Sequence, residues 1–178
     1  MVKKTPIEEY TKTVRKSGIP VIKLREGDAL AAIALINDEE LILATKNGHA
    51  IRFNSSEVGA AGRTTLGVKG IGLGADDEVK SLAIVRDKSD DLAVFASNGL
   101  GKRIKLDKLT PQKRGGKGVI ISKTEIANIV MVNDKDNIYI AGATSSITIE
   151  GKEIPTVERT SAGNQMIKGT KIIDVTKV

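Results

Sequence analysis

Residues 40–54 read ELILATKNGHAIRFN: an apolar stretch, an Asn-Gly pair, a second apolar-rich stretch and a polar exit. The same order returns in DLAVFASNGLGKRIKLDKL from Asp91 and, without the Asn-Gly, in NIYIAGATSSITIEGKEI from Asn137. Each copy predicts a strand, a tight turn and a second strand. Asn47-Gly48 and Asn98-Gly99 predict two-residue turns with positive φ at both central positions. After each hairpin comes a glycine-bearing segment: TLGVKGIGL from Thr65, GGKGVIIS from Gly115 and NQMIKGTKI from Asn164. A polar turn and an apolar strand follow, in ADDEVKSLAIV from Ala75, KTEIANIVMV from Lys123 and TKIIDVTKV from Thr170. The N-terminus aligns with the later half of such a unit. Gly18, Gly67 and Gly118 become equivalent, 49 and 51 residues apart by their numbers, with Met166 as the fourth equivalent 48 further on.

A period near 50 residues with about four short strands is the signature of a propeller-like array. No apolar pattern of period 3.6 runs long enough for a good helix. The expected fold is therefore all-β: four-stranded blades in repeats of about 48–51 residues, three to four blades in a single domain or a fragment of one, residues 1–178. The divisions are a partial repeat at 1–24 and repeats at about 25–73, 74–122 and 123–178. Because the chain opens in mid-repeat, Ile172–Val178 is expected to lend a strand to the first blade.

Composition narrows the chemistry. Aromatic residues are 2% of the chain and there is no Trp, so Ile, Val, Leu and Ala must fill the core, a diet that favours sheet. There is no Cys and one His, which excludes disulfides, thiolate metal sites, multi-His sites and a Cys–His nucleophile pair. No apolar run approaches the ~20 residues of a membrane span, and the opening MVKKTPIEEY is polar rather than signal-like. The net charge of +6 favours an anionic partner.

That charge is unevenly placed. Residues 101–118 hold seven cations against Asp107 alone, a net of +6; residues 1–18 carry +3, residues 49–69 carry +2 and residues 146–168 are neutral. Residues 74–91 carry −3. Equivalent segments of a radial array fall on equivalent parts of its rim, so cations repeated once per blade predict a curved basic stripe suited to an extended polyanion. The candidate phosphate contacts are Lys3, Lys4, Lys12, Arg15 and Lys16 in the first segment, and Arg52, Arg63 and Lys69 in the second. In the third they are Lys102, Arg103 and Lys105, with the loop Gln112, Lys113, Arg114, Gly115, Gly116, Lys117 and Gly118. The glycines would let backbone N–H groups approach phosphates.

Other motifs fail on chemistry. Gly116-Lys117 is followed by Gly118 where a P-loop needs a hydroxyl, and Pro111 stands where its first glycine belongs. NDKDN from Asn133 starts like a calcium loop, but Ile138 takes a ligand position and no Glu closes it. Asp76-Asp77 reads as a solvated turn, Tyr139 as core and His49 as exposed. No Ser or Thr has the base and carboxylate of a nucleophile triad. No active site and no cofactor are expected.

TKNGHAIRF, GRTTLGVKGIGL, SNGLGKRIKLDKL and QKRGGKGV, in that order, resemble the C-terminal domain of the A subunit of bacterial DNA gyrase and its relative topoisomerase IV. The resemblance covers essentially the whole chain. It implies a β-pinwheel, whose blades exchange strands and whose rim binds and bends duplex DNA. It implies as partners the same A subunit's catalytic core and the ATPase B subunit, in the bacterial cytoplasm, with the isolated domain a monomer. Gln112–Gly118 resembles the seven-residue gyrase box, which in that family belongs to the first blade. The alternative reading is a protein-interaction propeller whose basic rim meets an acidic partner.

Overall fold

The structure, a computed structural model, describes residues 1–12 and 15–178. Three sheets carry the architecture. In the first, the hairpin β1 (Glu40–Thr45) and β2 (His49–Asn54) lies between β3 (Val79–Val85) and β6 (Val119–Ile120). In the second, β4 (Asp91–Ala96) and β5 (Leu100–Ile104) lie between β7 (Ile126–Val132) and β10 (Asn164–Gln165). The third pairs β8 (Asn137–Gly142) and β9 (Ser146–Glu150) with β11 (Ile172–Lys177). All named pairings are antiparallel. The outer strand β6 lies in the chain after the second hairpin yet completes the first sheet. This exchange of strands between successive repeats makes the fold a β-pinwheel.

Period-2 alternation explains the packing. On β1, Leu41 and Leu43 face one way, into a cluster with Ile51, Phe53 and Ile71, while Ile42 and Ala44 face the other, against Leu92 and Val94 of β4. On β4, Ala93 and Phe95 turn to the third sheet and meet Ile138 and Ile140. The middle sheet is thus covered on both faces, and β4 is buried from end to end. Each fully buried Ile or Phe contributes roughly 1.5–3 kcal/mol, which is how a chain with four aromatic rings holds together.

The inner strands β3, β7 and β11 share one irregularity. Lys80, Ala127 and Ile173 are each one extra residue in the ladder, and the residues after them form a polar rung. Ser81 Oγ meets Asn128 Oδ1 at 2.5 Å, and Asn128 Nδ2 donates to Asp174 Oδ1 at 2.5 Å.

Four sequence expectations change. The hairpin turns are three-residue loops: Gly48 N donates to Thr45 O and Gly99 N to Ala96 O, and only the glycine has positive φ, +93° in both. A turn closed one residue earlier followed by a left-handed glycine needs no positive φ at Asn. Ile172–Lys177 pairs with β8 of its own hairpin, not with the first repeat. The fourth equivalent of Gly118 is Gly163, not Met166: Gly118 faces the Ala50 carbonyl and Gly163 the matching Gly101 carbonyl, because the last repeat is shorter. Tyr139, expected in the core, is 38% exposed.

The N-terminal repeat contributes one short helix, Glu8–Thr11, and two bridges, Val2↔Val68 and Lys4↔Ala60. Ala31 and Ala32 share a cavity with Ser81, Asn128 and Asp174, beside the polar rung of β3, β7 and β11. Residues 29–36 form no ladder with the other described residues, and Ile33 and Leu35 are 74% and 73% exposed.

Candidate nucleic-acid interface

Three loops occupy the same place in successive repeats: Gly62–Gly67, Lys113–Gly118 and Glu158–Gly163. Each ends on a left-handed glycine, with φ of +79°, +71° and +87°. A Cβ there would lie 2.3, 2.1 and 2.4 Å from the carbonyl oxygens of Val2, Ala50 and Gly101. Glycine is required because the loop must turn directly onto the next strand. Successive loops are joined. Lys23 N donates to Thr65 O, Gly115 N to Gly70 O at 2.7 Å and Gly72 N to Gly116 O at 2.8 Å. Arg159 Nη1 donates to Ile120 O. Residues 18–23, 62–72, 112–120 and 158–163 therefore form one continuous ridge.

The cations that recur most regularly are fasteners of this ridge. Arg63, Arg114 and Arg159 each stand four residues before their glycine. Each guanidinium reaches back to the carbonyl two residues past the preceding glycine: Pro20, Lys69 and Ile120. A second set reaches forward. Lys4 Nζ donates to Ser55 O at 3.2 Å, Arg52 Nη1 to Leu106 O and Leu109 O at 2.9 and 3.0 Å, and Arg103 Nε to Ile154 O at 3.0 Å. The acceptors lie in or just after the short 3-10 turns Ser55–Glu57, Leu106–Lys108 and Gly151–Glu153. Leu109 O and Ile154 O lie just past their turns, beyond the turns' own bonds, whereas Ser55 O and Leu106 O also accept from Val58 N and Leu109 N.

Arg52, Lys102 and Arg103 were expected to meet phosphate, and the structure turns them inward. They are 7%, 3% and 8% exposed. Arg52 pairs with Glu40, its Nε donating to Oε2 at 2.7 Å. Burial pushes the Glu40 carboxyl up, but the bond and charge of Arg52, with the charge of Lys88, outweigh it and hold the group below its ordinary value. Arg103 donates to Asp134 Oδ1 at 2.5 Å, and Lys102 Nζ to the carbonyls of Arg159 and Ser161. A side chain wedged between strands has no free charge to offer a ligand. Lys3 and Lys4 are half-buried and bound to carbonyls. Lys105 is exposed but pairs with Asp91 at 3.0 Å.

The remaining expected residues stay accessible. Lys12, Arg15, Lys16, Lys69, Lys113 and Lys117 are exposed, and no carboxylate within salt-bridge distance holds them among the described residues. Lys113 and Lys117 bracket Gly115 and the exposed Gly116. Gln112, Arg114, Gly115 and Gly118 are half-buried, because the loop is tied down from below. Gln112 N donates to Arg52 O, Arg114 N to Glu57 Oε2 at 2.9 Å, and Arg114 Nε to Glu57 O. What the ridge offers an anion is a shaped backbone carrying a few free ammonium groups.

The family model that matches describes the DNA gyrase C-terminal domain, beta-propeller, over residues 1–37, 39–86 and 90–138. The DNA gyrase A subunit of Deinococcus deserti is 36% identical over 98% of this chain, and that of Salmonella typhimurium 36% identical over 94%. The chain spans about a fifth of their length, 22% and 20%. Among solved structures, the C-terminal domain of DNA topoisomerase IV superposes over the whole chain with a TM-score of 0.94 and 30% identity. The C-terminal domain of DNA gyrase A covers 91% of the chain with a TM-score of 0.84 and 26% identity. The chain spans 58% of each of those two structures.

Proposed function

The chain belongs to the DNA gyrase C-terminal domain, beta-propeller, family, and on that premise we propose that its loop ridge binds and bends duplex DNA through backbone phosphates. The role is that of an accessory, non-catalytic domain of a type II topoisomerase, working beside the A subunit's catalytic core and the ATPase B subunit. The observation that carries it is the continuous ridge with unpaired Lys113 and Lys117 on either side of the Gly115–Gly116 backbone.

The physical logic is electrostatic. Each phosphate neutralised releases counterions, so roughly six contacts give a slope of log K against log salt near −5. Bending 20–30 bp by 40–90° costs about 1–6 kcal/mol. Contacts spread along an arc can offset that cost; one basic knob cannot. No base edge is read, so affinity is independent of sequence.

The experiment is a salt titration of random-sequence duplex binding with wild type and the double variant Lys113→Ala, Lys117→Ala. Both side chains are exposed and unpaired, so the fold is retained. The slope should flatten by about 2, and affinity should rise with duplex length up to the span of the ridge. An unchanged slope removes this loop from the interface. Weak binding at every length favours docking of an acidic protein instead.

A further inference from the structure

We infer that Lys102 and Lys3 are positioning residues: ammonium clips, the first buried and the second half-buried, that hold the Arg159 and Arg63 loops in the shape the ridge presents to a polyanion. The inference rests on the DNA-binding reading for its purpose, but not for its geometry. Lys102 Nζ donates to Arg159 O at 2.8 Å and to Ser161 O at 2.5 Å. Lys3 Nζ does the same for its loop, donating to Gly62 O at 3.3 Å and to Arg63 O, with Val21 O at 2.7 Å as a further acceptor. Val2 and Gly101 face equivalent glycines, so Lys3 and Lys102 hold one structural position.

The middle repeat shows what the clip replaces. There the position is Ile51, which is fully buried, and a Cβ on Gly116 would lie 3.6 Å from its Cδ1. An apolar floor under a glycine-rich backbone holds Lys113–Gly118. Where the loop carries Thr160 and Ser161 or Thr64 and Thr65 instead of glycines, an ammonium gathers its carbonyls from beneath.

The clip is also a proton site. Burial first, and then the charge of Arg159, brings the Lys102 ammonium down to about 8. Across the sheet it faces Val94, and beside it Gly163, neither of which titrates. Folding lowers this pKa, so the unfolded chain holds the proton more tightly between about 8 and the ordinary lysine value. Across that window global stability therefore rises with pH. Phosphates arriving over Arg159 favour the charged amine, so binding near pH 8 must draw a proton onto Lys102.

The test uses the full chain with Lys102→Met, which keeps the stem and removes the ammonium. In the free protein, exchange at amides 158–163 should quicken about tenfold, as two charge-assisted bonds are lost, while amides of Ile172–Lys177 stay as in wild type. Random-sequence duplex should then bind several-fold more weakly. Calorimetry at pH 8 in buffers of differing ionisation enthalpy should show proton uptake by wild type that Lys102→Met lacks. Unchanged exchange at 158–163 overturns the clip. Faster exchange with wild-type affinity and proton uptake overturns the positioning role. If wild type binds no duplex, the DNA reading falls while exchange still decides the clip. Should Lys102→Met fail to fold, Lys3→Met applies the same criteria of exchange, read at residues 62–66, and of duplex affinity.

Discussion

The loops Lys113–Gly118 and Glu158–Gly163 sit on neighbouring sheets, share an arginine and a closing glycine, and are built on opposite principles. In the first, Ile51 packs beneath a backbone nearly free of side chains, Glu57 ties down Arg114, and Lys113 and Lys117 stand free. In the second, the cation lies underneath as buried Lys102, while the exposed positions matching Lys113 and Lys117 are Glu158 and Ala162. One loop carries its charge outward and the other inward. Repeat symmetry thus conserves the shape of the ridge while charge is redistributed along it, and counting cations per repeat misses the difference.

The comparison breaks most severely at the closing glycine. Gly118→Ala places a Cβ 2.1 Å from the Ala50 carbonyl oxygen, with φ of +71°, so backbone must move. The expected cost exceeds about 3 kcal/mol, and Gly163→Ala, at 2.4 Å from Gly101 O, should behave alike. Gly18→Ala is the control: φ is +75° but nothing lies within 4 Å. It should lose only the left-handed penalty of about 1–2 kcal/mol. Denaturant midpoints for the three variants check this, and equal losses would mean that conformation rather than facing backbone sets the cost.

The forward clasps give the next largest effect. Arg52→Met leaves Glu40 as a little-exposed carboxylate without its guanidinium and takes the side-chain donor from Leu109 O and from Leu106 O, which keeps only Leu109 N, at about 3 kcal/mol. Arg103→Met should cost less, since Asp134 is well exposed and water takes over. Acid sharpens the distinction. The Glu40 carboxyl is held down by Arg52, so the stability it contributes is present above its unfolded pKa and is lost as pH falls through the folded value. As pH falls through that lowered value the gap between wild type and Arg52→Met should narrow; a pH-independent gap would show the clasp acting by packing alone.

Much of this was legible in the chain. Hairpins, the 50-residue period and the glycine positions follow from alternation and turn chemistry, which are local. The fate of the cations was not, because a strand arginine can point to solvent or into the joint between sheets. The signal was present in Arg52, set between Ile51 and Phe53, and in Arg103, beside Ile104. An inward arginine needs acceptors, however, and the carbonyls that serve lie more than 50 residues away in sequence. Strand exchange was equally hidden, since β6 and β10 are two-residue strands too short to announce a partner.

The smallest effect is the most direct test of the contrast. Glu158→Lys with Ala162→Lys gives the last loop the outward charges of the middle one without touching Lys102, Arg159 or Gly163. Both positions are exposed, so stability should change by less than about 0.5 kcal/mol. A net gain of three charges on the proposed phosphate-binding ridge should raise duplex affinity by about tenfold at low salt and steepen the salt slope by about 2. The gain should vanish when Lys102→Met is added, because lysines on a loosened loop no longer share the arc. Tighter binding that survives the loss of the clip would mean that charge alone governs the interface, with the geometry of the ridge contributing nothing.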